Sequence, residues 1–600
     1  LSLIDTVRET VFSKSDGDAV VFTHGPKDGH PLFSWDGKTV GFLRPDEKDK
    51  KQVWVIATDG GEARRLTDLP GGVSDFVWSP NAEQLAVVSR VDPDVREEEN
   101  DYPQTQVVQR IRYRGDDEGW LGNTFLQLFV VDVQSGEHRQ ITERVGDQRS
   151  PVWSPDGSQI AFITNAIDDR DFNRRSEVHT ISSQGGESLC WSQDLSRVDS
   201  LAWSPDGKCL AAVGSHDENV WDPRMSWLYV LEEGKSARQI TDGTHTVSSL
   251  SERSWQDDRI VFVGDRAGES FLCKVSVEGG EVEAISGGGQ VFTSVTLGGS
   301  RAVVHVNSPT SPSNLVAVDL DNGAQSQVAA YNRSLLEACP AASLEKFTFV
   351  RKGSEIQARV LFPADFDDSK QYPLVLDIHG GPNGRFSDSF DITHQVLVGA
   401  GYIVLAVNPR GSSSYGPDFL KAVLCDWGGE DSLDLMAAVD AVCERPYVDA
   451  NKLGVHGYSY GGFMSSWIVG HDHRFKAAVV GAPCINLHSM YGTSDIGVSF
   501  GENQWGGSSV GDVDVLLAHS PLTHARNVQT PVLLMHGEVD YRCPVEQSEQ
   551  FYVALKRQGK MVEFVRFPDS SHGFRKSGHP TFREEYLCRM LDWFGGYLNQ

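Results

Sequence analysis

The chain has 600 residues, too many for one hydrophobic core, so two or more domains are expected. Its 54 basic against 83 acidic side chains give a net charge of −29, a field that repels phosphate backbones and anionic lipid, so neither nucleic acid nor a membrane surface is an expected partner. A hydrophobic fraction of 39% is that of a globular chain rather than a disordered one, and the longest apolar stretch, Val396 to Val407, is too short to span a bilayer.

The first residues, Leu1 to Phe12, carry Asp5, Arg8 and Glu9, which interrupt any signal-peptide core. A start at Leu suggests residues upstream, and an export signal removed from there would leave no trace. The nine cysteines show no metal-type spacing and read as free thiols of a reducing compartment, so a cytoplasmic location is expected.

Internal repeats organise the first half. WSPDG occurs at Trp153–Gly157 and Trp203–Gly207, with weaker copies at Phe33–Gly37 and from Trp78. The apolar strand that follows each copy places two more near Arg253 and Val295. Most units close on a second signature, such as Gly60-Gly61-Glu62, Ser135-Gly136-Glu137 or Gly279-Gly280-Glu281. Asp-Gly and Gly-Gly supply the positive φ of tight hairpins, and short β-branched runs lie between them. A unit of roughly 45 residues with about four strands cannot bury both faces alone, and stacked radially such units make a β-propeller. A β-sandwich with coincidental turns is the competing architecture.

Six units are clear. Phe22-Thr23-His24-Gly25 sits where other units end, so residues 1–24 read as part of a seventh blade. Its remaining strands would lie upstream or near 333–350. An insertion between Val91 and Phe125 holds the acidic run Val95–Asp101 and the basic run Arg110–Arg114, a solvated excursion or a lip that contacts substrate or another subunit.

From about residue 345 strands alternate with helices. Strands are expected at Ile356–Phe362, Pro373–Ile378, Tyr402–Val407, Lys452–Gly457, Lys476–Ala482, Pro531–His536 and Val562–Phe567. Helices are expected at Glu430–Glu444, Pro544–Gln558 and Phe582–Leu598. This alternation implies a mostly parallel, doubly wound sheet of the α/β-hydrolase kind. The domains are therefore drawn as a β-propeller over 1–338 and a catalytic domain over 339–600.

Gly457-Tyr458-Ser459-Tyr460-Gly461 lies between an expected strand and an expected helix, the setting of a nucleophile elbow. Serine needs a base to take its proton and a carboxylate to orient that base, in the order Ser, acid, His. Asp540 follows the strand Pro531–His536, and His572 follows Val562–Phe567. Glu538, His536 and His519 compete for these roles, and position on the two loops favours Asp540 and His572. The oxyanion needs two N–H donors: Tyr460, next to the nucleophile, and Gly381 of the His379-Gly380-Gly381-Pro382 loop, with Gly380 its neighbour. The chemistry calls for no metal or organic cofactor.

Those motifs, with Asn408-Pro409-Arg410-Gly411, Asp426-Trp427-Gly428 and His536–Pro544, resemble the prolyl oligopeptidase family of serine peptidases, and within it the bacterial acylaminoacyl-peptidases. The resemblance covers essentially the whole chain. It implies a peptidase for short peptides, homo-oligomeric, with the propeller excluding large substrates. It further implies that Arg542 contacts substrate carbonyl oxygens. Phe500 and Trp505 are placed, from position alone, on the wall of the S1 pocket. A carboxylesterase, or a dipeptidyl- or oligopeptidase of the same family, is the alternative. Dipeptidyl-peptidases of the family hold a free amino terminus with paired propeller glutamates, and Glu97-Glu98-Glu99 is read as a lookalike of that pair.

Overall fold

The structure, a computed structural model, describes residues 2–3, 20–25, 27–92, 105–192, 194–216 and 225–599. Glu97-Glu98-Glu99 and the acidic run around it lie outside the described residues.

The repeats form six antiparallel blades, beginning at Gly29, Val73, Gln148, Arg197, Thr246 and Val291. The repeated motif explains itself in hydrogen bonds. In both WSPDG copies and in the weaker copy at Phe33–Gly37 the serine hydroxyl caps the turn: Ser154, Ser204 and Ser34 donate to Asp156, Asp206 and Asp36, and accept from the N–H that opens the next strand. The tryptophan ties one blade to the one before it. The indole N–H of Trp78 donates to Leu32 O at 3.1 Å, that of Trp153 to Val77 O at 3.4 Å, that of Trp203 to Val152 O at 3.1 Å and that of Trp255 to Ala202 O at 3.0 Å. WSPDG thus encodes both the hairpin and the blade-to-blade contact.

The expected seventh blade is not among the described residues. Phe22 packs against Val40, Phe42 and Ile56 of the first blade, and so extends that blade's core rather than closing another unit. Among the described residues, Ser2–Leu3 pairs with Val20–Val21 alone. Residues 333–350 do not supply missing strands either. Arg333–Ala338 is a short helix, and Ser343–Arg351 pairs with Ser354–Phe362.

That hairpin opens an eight-stranded sheet. Its order is Ser343–Arg351, Ser354–Phe362, Ile403–Asn408, Tyr372–Ile378, Val448–Tyr458, Phe475–Gly481, Val532–Gly537 and Val562–Phe567, parallel from the third strand onward. Alternate residues enter two cores: Leu374 and Leu376 face one side, Val375 the other. Helices Glu430–Cys443, Tyr460–His471 and Glu546–Arg557 cover the first face, and Ile392–Gly399 with Pro580–Leu598 the second. The chain reverses its strand order beside Tyr372–Ile378, and the crevice beyond the carboxyl ends there is where such sheets bind ligands. Among the described residues no helix is long and apolar enough to cross a membrane.

The insertion between Val91 and Phe125 is not simply a solvated excursion. Arg114–Gly115 and Gly119–Trp120 form a hairpin whose turn reaches the second domain. Ala267 and Gly268 of the fifth blade also donate to Ser414, and Arg385 pairs with Asp265 at 2.8 Å.

Candidate active site

Ser459 stands between the strand Val448–Tyr458 and the helix Tyr460–His471, with φ 63° and ψ −122°. This conformation is costly for a residue with a Cβ and persists only where its surroundings impose it. The flanking glycines make the turn feasible. A Cβ on Gly457 would lie 2.2 Å from Gly461 O, and one on Gly461 would lie 2.1 Å from Ile378 O. Strand and helix could not approach so closely with any larger residue.

The structure brings the three expected side chains together. Ser459 Oγ lies 3.0 Å from His572 Nε2, and His572 Nδ1 lies 2.7 Å from Asp540 Oδ2. Asp540 is buried, which opposes its charge, but the His572 and His536 rings beside it hold its carboxyl at about 2. Its second oxygen accepts from the N–H of Cys543 at 2.8 Å. An ionised carboxylate so fixed orients the imidazole to take a hydroxyl proton.

The competing residues are held by other partners. His536 is buried beside the acid, with Nδ1 on Ser548 Oγ and Nε2 2.7 Å from Cys543 O and 3.2 Å from Asp540 Oδ2. Glu538 pairs with Arg566, and His519 bonds Trp427 O.

Tyr460 is the first residue of its helix, so no carbonyl one turn back takes its N–H. The loop after Tyr372–Ile378 comes up beside it. A Cβ on Gly380 would sit 3.5 Å from that of Ser459, and Gly381, with φ 125°, follows. Gly380, Gly381, Ser459 and His572 line one cavity of about 700 Å³, together with Phe386 and Phe390.

Phe500 and Trp505, expected on the S1 wall, are not among the residues that line this cavity. Both pack on Trp427, at 6.1 and 5.9 Å between rings, and Trp427 packs edge-on against Tyr460 at 4.9 Å. Trp505 is fully buried, a packing position. Arg542 forms a bidentate pair with Asp495, at 2.8 and 3.1 Å, and faces a second cavity between the domains.

Three features were not anticipated from sequence. Asp116, at the tip of the propeller hairpin, accepts from the backbone N–H of Tyr541 at 3.0 Å and of His572 at 3.2 Å. It thereby links the acid loop to the base loop, and burial pushes its carboxyl above the usual range. Asp117 accepts from the Ser571 hydroxyl, and Arg114 donates to Thr493 O while stacking on Tyr541. The only signal was the charged Asp-Asp-Glu-Gly turn within the insertion. Beneath the elbow, the Tyr460 hydroxyl donates to Asp431 at 2.5 Å, whose carboxyl burial raises to about 7. Asp377 is also buried, between His394 and His456 at 2.7 and 2.6 Å.

On the third blade, Glu177, His179 and Cys190 offer ligand atoms within 4.8 Å of one another. The His179 ring is already held by Glu177, Ser188 and the Arg144 guanidinium, whose charge opposes a cation there.

Comparison with known proteins agrees with this architecture. Residues 388–600 match the family described as Prolyl oligopeptidase family, and residues 114–229 match the Dipeptidyl peptidase IV (DPP IV) N-terminal region. The Bacillus subtilis protein named uncharacterized peptidase YuxL is 34% identical over 98% of this chain and 93% of its own. Dipeptidyl-peptidase 5 of Porphyromonas gingivalis is 27% identical over 90% of this chain and 83% of its own. The structure of Pyrococcus horikoshii acylaminoacyl peptidase shares the fold, with a TM-score of 0.84 at 24% identity over 96% of this chain and 89% of that one. The chain, with its propeller and its hydrolase sheet, is a serine peptidase that belongs to the prolyl oligopeptidase family.

Proposed function

We propose that Ser459, His572 and Asp540 form the catalytic triad of an acylaminoacyl-peptidase, releasing N-acylated amino acids from short peptides. His572 takes the Ser459 proton as the hydroxyl attacks the substrate carbonyl. The N–H groups of Tyr460 and Gly381 stabilise the oxyanion, and His572 protonates the departing amine. Water, activated by the same imidazole, then hydrolyses the acyl-enzyme. Asp540 stays ionised throughout. Arg542, fixed by Asp495, turns its remaining donors toward substrate carbonyls, and the propeller, residues 1–338, excludes folded proteins.

The observation that carries the acyl preference is the state of the acids near the site. A free amino terminus calls for uncommitted carboxylates. Among the described residues of the interdomain cavity, Asp116 is engaged by backbone N–H groups, Glu118 by Arg90, Asp171 by Arg110, Asp199 by Arg197 and Asp495 by Arg542. A blocked, uncharged terminus suits these surroundings better. The relative named dipeptidyl-peptidase 5 supports a second reading, cleavage after a free-amine dipeptide.

Rates on acetyl-alanyl, alanyl and lysyl-alanyl p-nitroanilides and on p-nitrophenyl butyrate distinguish the readings. Acetyl-alanyl anilide is expected to lead, whereas faster release from the dipeptide would transfer the assignment to a dipeptidyl-peptidase. Ser459→Ala should abolish turnover and fluorophosphonate labelling with the fold intact, and wild-type rates in that variant would refute the triad.

A further inference from the structure

The cavity faced by Arg542 has a volume of about 280 Å³ and lies between the propeller and the hydrolase. Its walls are rich in arginine, including Arg112, Arg149, Arg175 and Arg197 from the propeller. The acids along it are already engaged, so the charge left over is positive.

Arg149 stands apart from the others. It projects from the strand Gln148–Trp153, and its Nε is buried with no hydrogen-bond partner. No carboxylate among the described residues forms an ion pair with it; Asp147 and Glu118 act on it from a distance, and Arg112 and Arg197 oppose them with like charge. Burial pushes its guanidinium below the ordinary arginine range. A partly buried cation whose Nε lacks a partner is costly to maintain, and a compensating anion relieves that cost.

Arg149 shares this cavity with Arg542, two residues after Asp540, and with Asp116, which holds the backbone of His572. Asp116 on the wall of this cavity and His572 at the reacting serine are thus directly bonded, which sets the cavity beside the catalytic loops, within reach of an extended peptide that passes Arg542. Resting on the peptidase reading above, we infer that Arg149 and its arginine neighbours form a subsite for a carboxylate carried by the peptide substrate. A guanidinium meets a carboxylate through two parallel hydrogen bonds, so the subsite recognises the group by geometry as well as by charge. The carboxylate has two possible sources, an acidic group on the acyl side of the scissile bond or the free carboxyl terminus of the peptide.

Two matched substrate pairs separate these sources. The first is succinyl-Ala against acetyl-Ala p-nitroanilide. The second is acetyl-Ala-Ala-Ala with a free against an amidated carboxyl terminus, followed by chromatography. In one pair the wild-type enzyme should favour the charged member by about tenfold or more in kcat/KM, the scale of a hydrogen-bonded charge. Arg149→Met should erase that preference while leaving the rate on the neutral member unchanged, which also reports that the variant is folded. Arg149→Gln, a second neutral replacement, is read in the same way. Equal rates on both members of both pairs, or a preference that survives either replacement, would overturn the subsite. Failure to cleave any of the four would instead count against the peptidase reading from which the subsite follows.

Discussion

Replacing Asp116 by alanine removes one side chain from the propeller and two hydrogen bonds from the hydrolase. The lost acceptor serves the backbone N–H groups of Tyr541 and His572, neighbours of the acid and the base itself, at 3.0 and 3.2 Å. Hydrogen bonds to a charged group contribute about 1.5–3 kcal/mol each, so the two loops lose several kcal/mol of mutual restraint, part of it recovered by water. The triad side chains remain, but the His572 ring is no longer fixed between Ser459 and Asp540, and a displacement of about 1 Å costs on the order of 10²-fold in rate. We expect Asp116→Ala to lower kcat by about 10- to 100-fold with a smaller change in KM, because Asp116 acts through the position of the imidazole. Asp116→Asn retains an amide oxygen as acceptor and should recover most of the loss. The assay is steady-state hydrolysis of an acylated anilide beside the rate of fluorophosphonate labelling of Ser459, with circular dichroism to monitor the fold. A kcat within twofold of wild type, with unchanged labelling, would refute the positioning role.

Other perturbations read the remaining parts of the site. Gly381→Ala places a Cβ 2.3 Å from Gly384 N at a φ of 125°, so the loop must shift and kcat should fall by about 10²–10³-fold if its N–H binds the oxyanion. Asp540→Asn leaves a hydrogen-bonding group in place but no charge to hold the His572 tautomer, and a loss of about 10⁴-fold in kcat is expected. In thermal unfolding across pH, Asp540, whose carboxyl is lowered to about 2, contributes stability that is present above its unfolded value near 3.8 and is lost as the pH falls toward 2. Asp431 has the opposite sign. With its carboxyl raised to about 7, the folded state binds the extra proton between about pH 4 and 7, so stability declines with rising pH there. Asp431→Asn should flatten that decline in the pH dependence of Tm, and an unchanged slope would contradict it.

What could be read from the sequence was what is encoded by neighbours. The turn around Ser459 depends on Gly457 and Gly461, both within two residues, and the blade hairpins depend on a serine and an aspartate two positions apart. The strands and helices that carry Ser459, Asp540 and His572 followed from short apolar runs between turn residues, and their ends moved by only a few positions. The blade count failed for the opposite reason. Whether Phe22 closes one unit or extends the next depends on packing against Val40, Phe42 and Ile56, and strand Ser343–Arg351 is assigned to the hydrolase only by its partner Ser354–Phe362. Asp116 is the extreme case, since its partners lie 425 and 456 residues away along the chain. No local pattern marks such an aspartate, whereas a charged turn inside an insertion marks where to look.

The same long-range contacts alter what the propeller is for. A filter alone needs only to stand over the crevice and narrow the way in, and its contacts with the catalytic loops could be few. Here one hairpin presents Asp116 to Tyr541 and His572, Asp117 to Ser571 and Arg114 to Thr493, four points on the loops that carry or flank the acid, the base and the Asp495 support of Arg542. Those loops are held by the propeller as well as by the sheet, so their order is coupled to how the domains meet. A substrate that bridges Ser459 and the arginine-lined cavity touches both sides of that junction and therefore favours the docked arrangement. The binding energy of the distal end of the peptide is then available to hold His572 in register, which would appear in kcat as well as in KM.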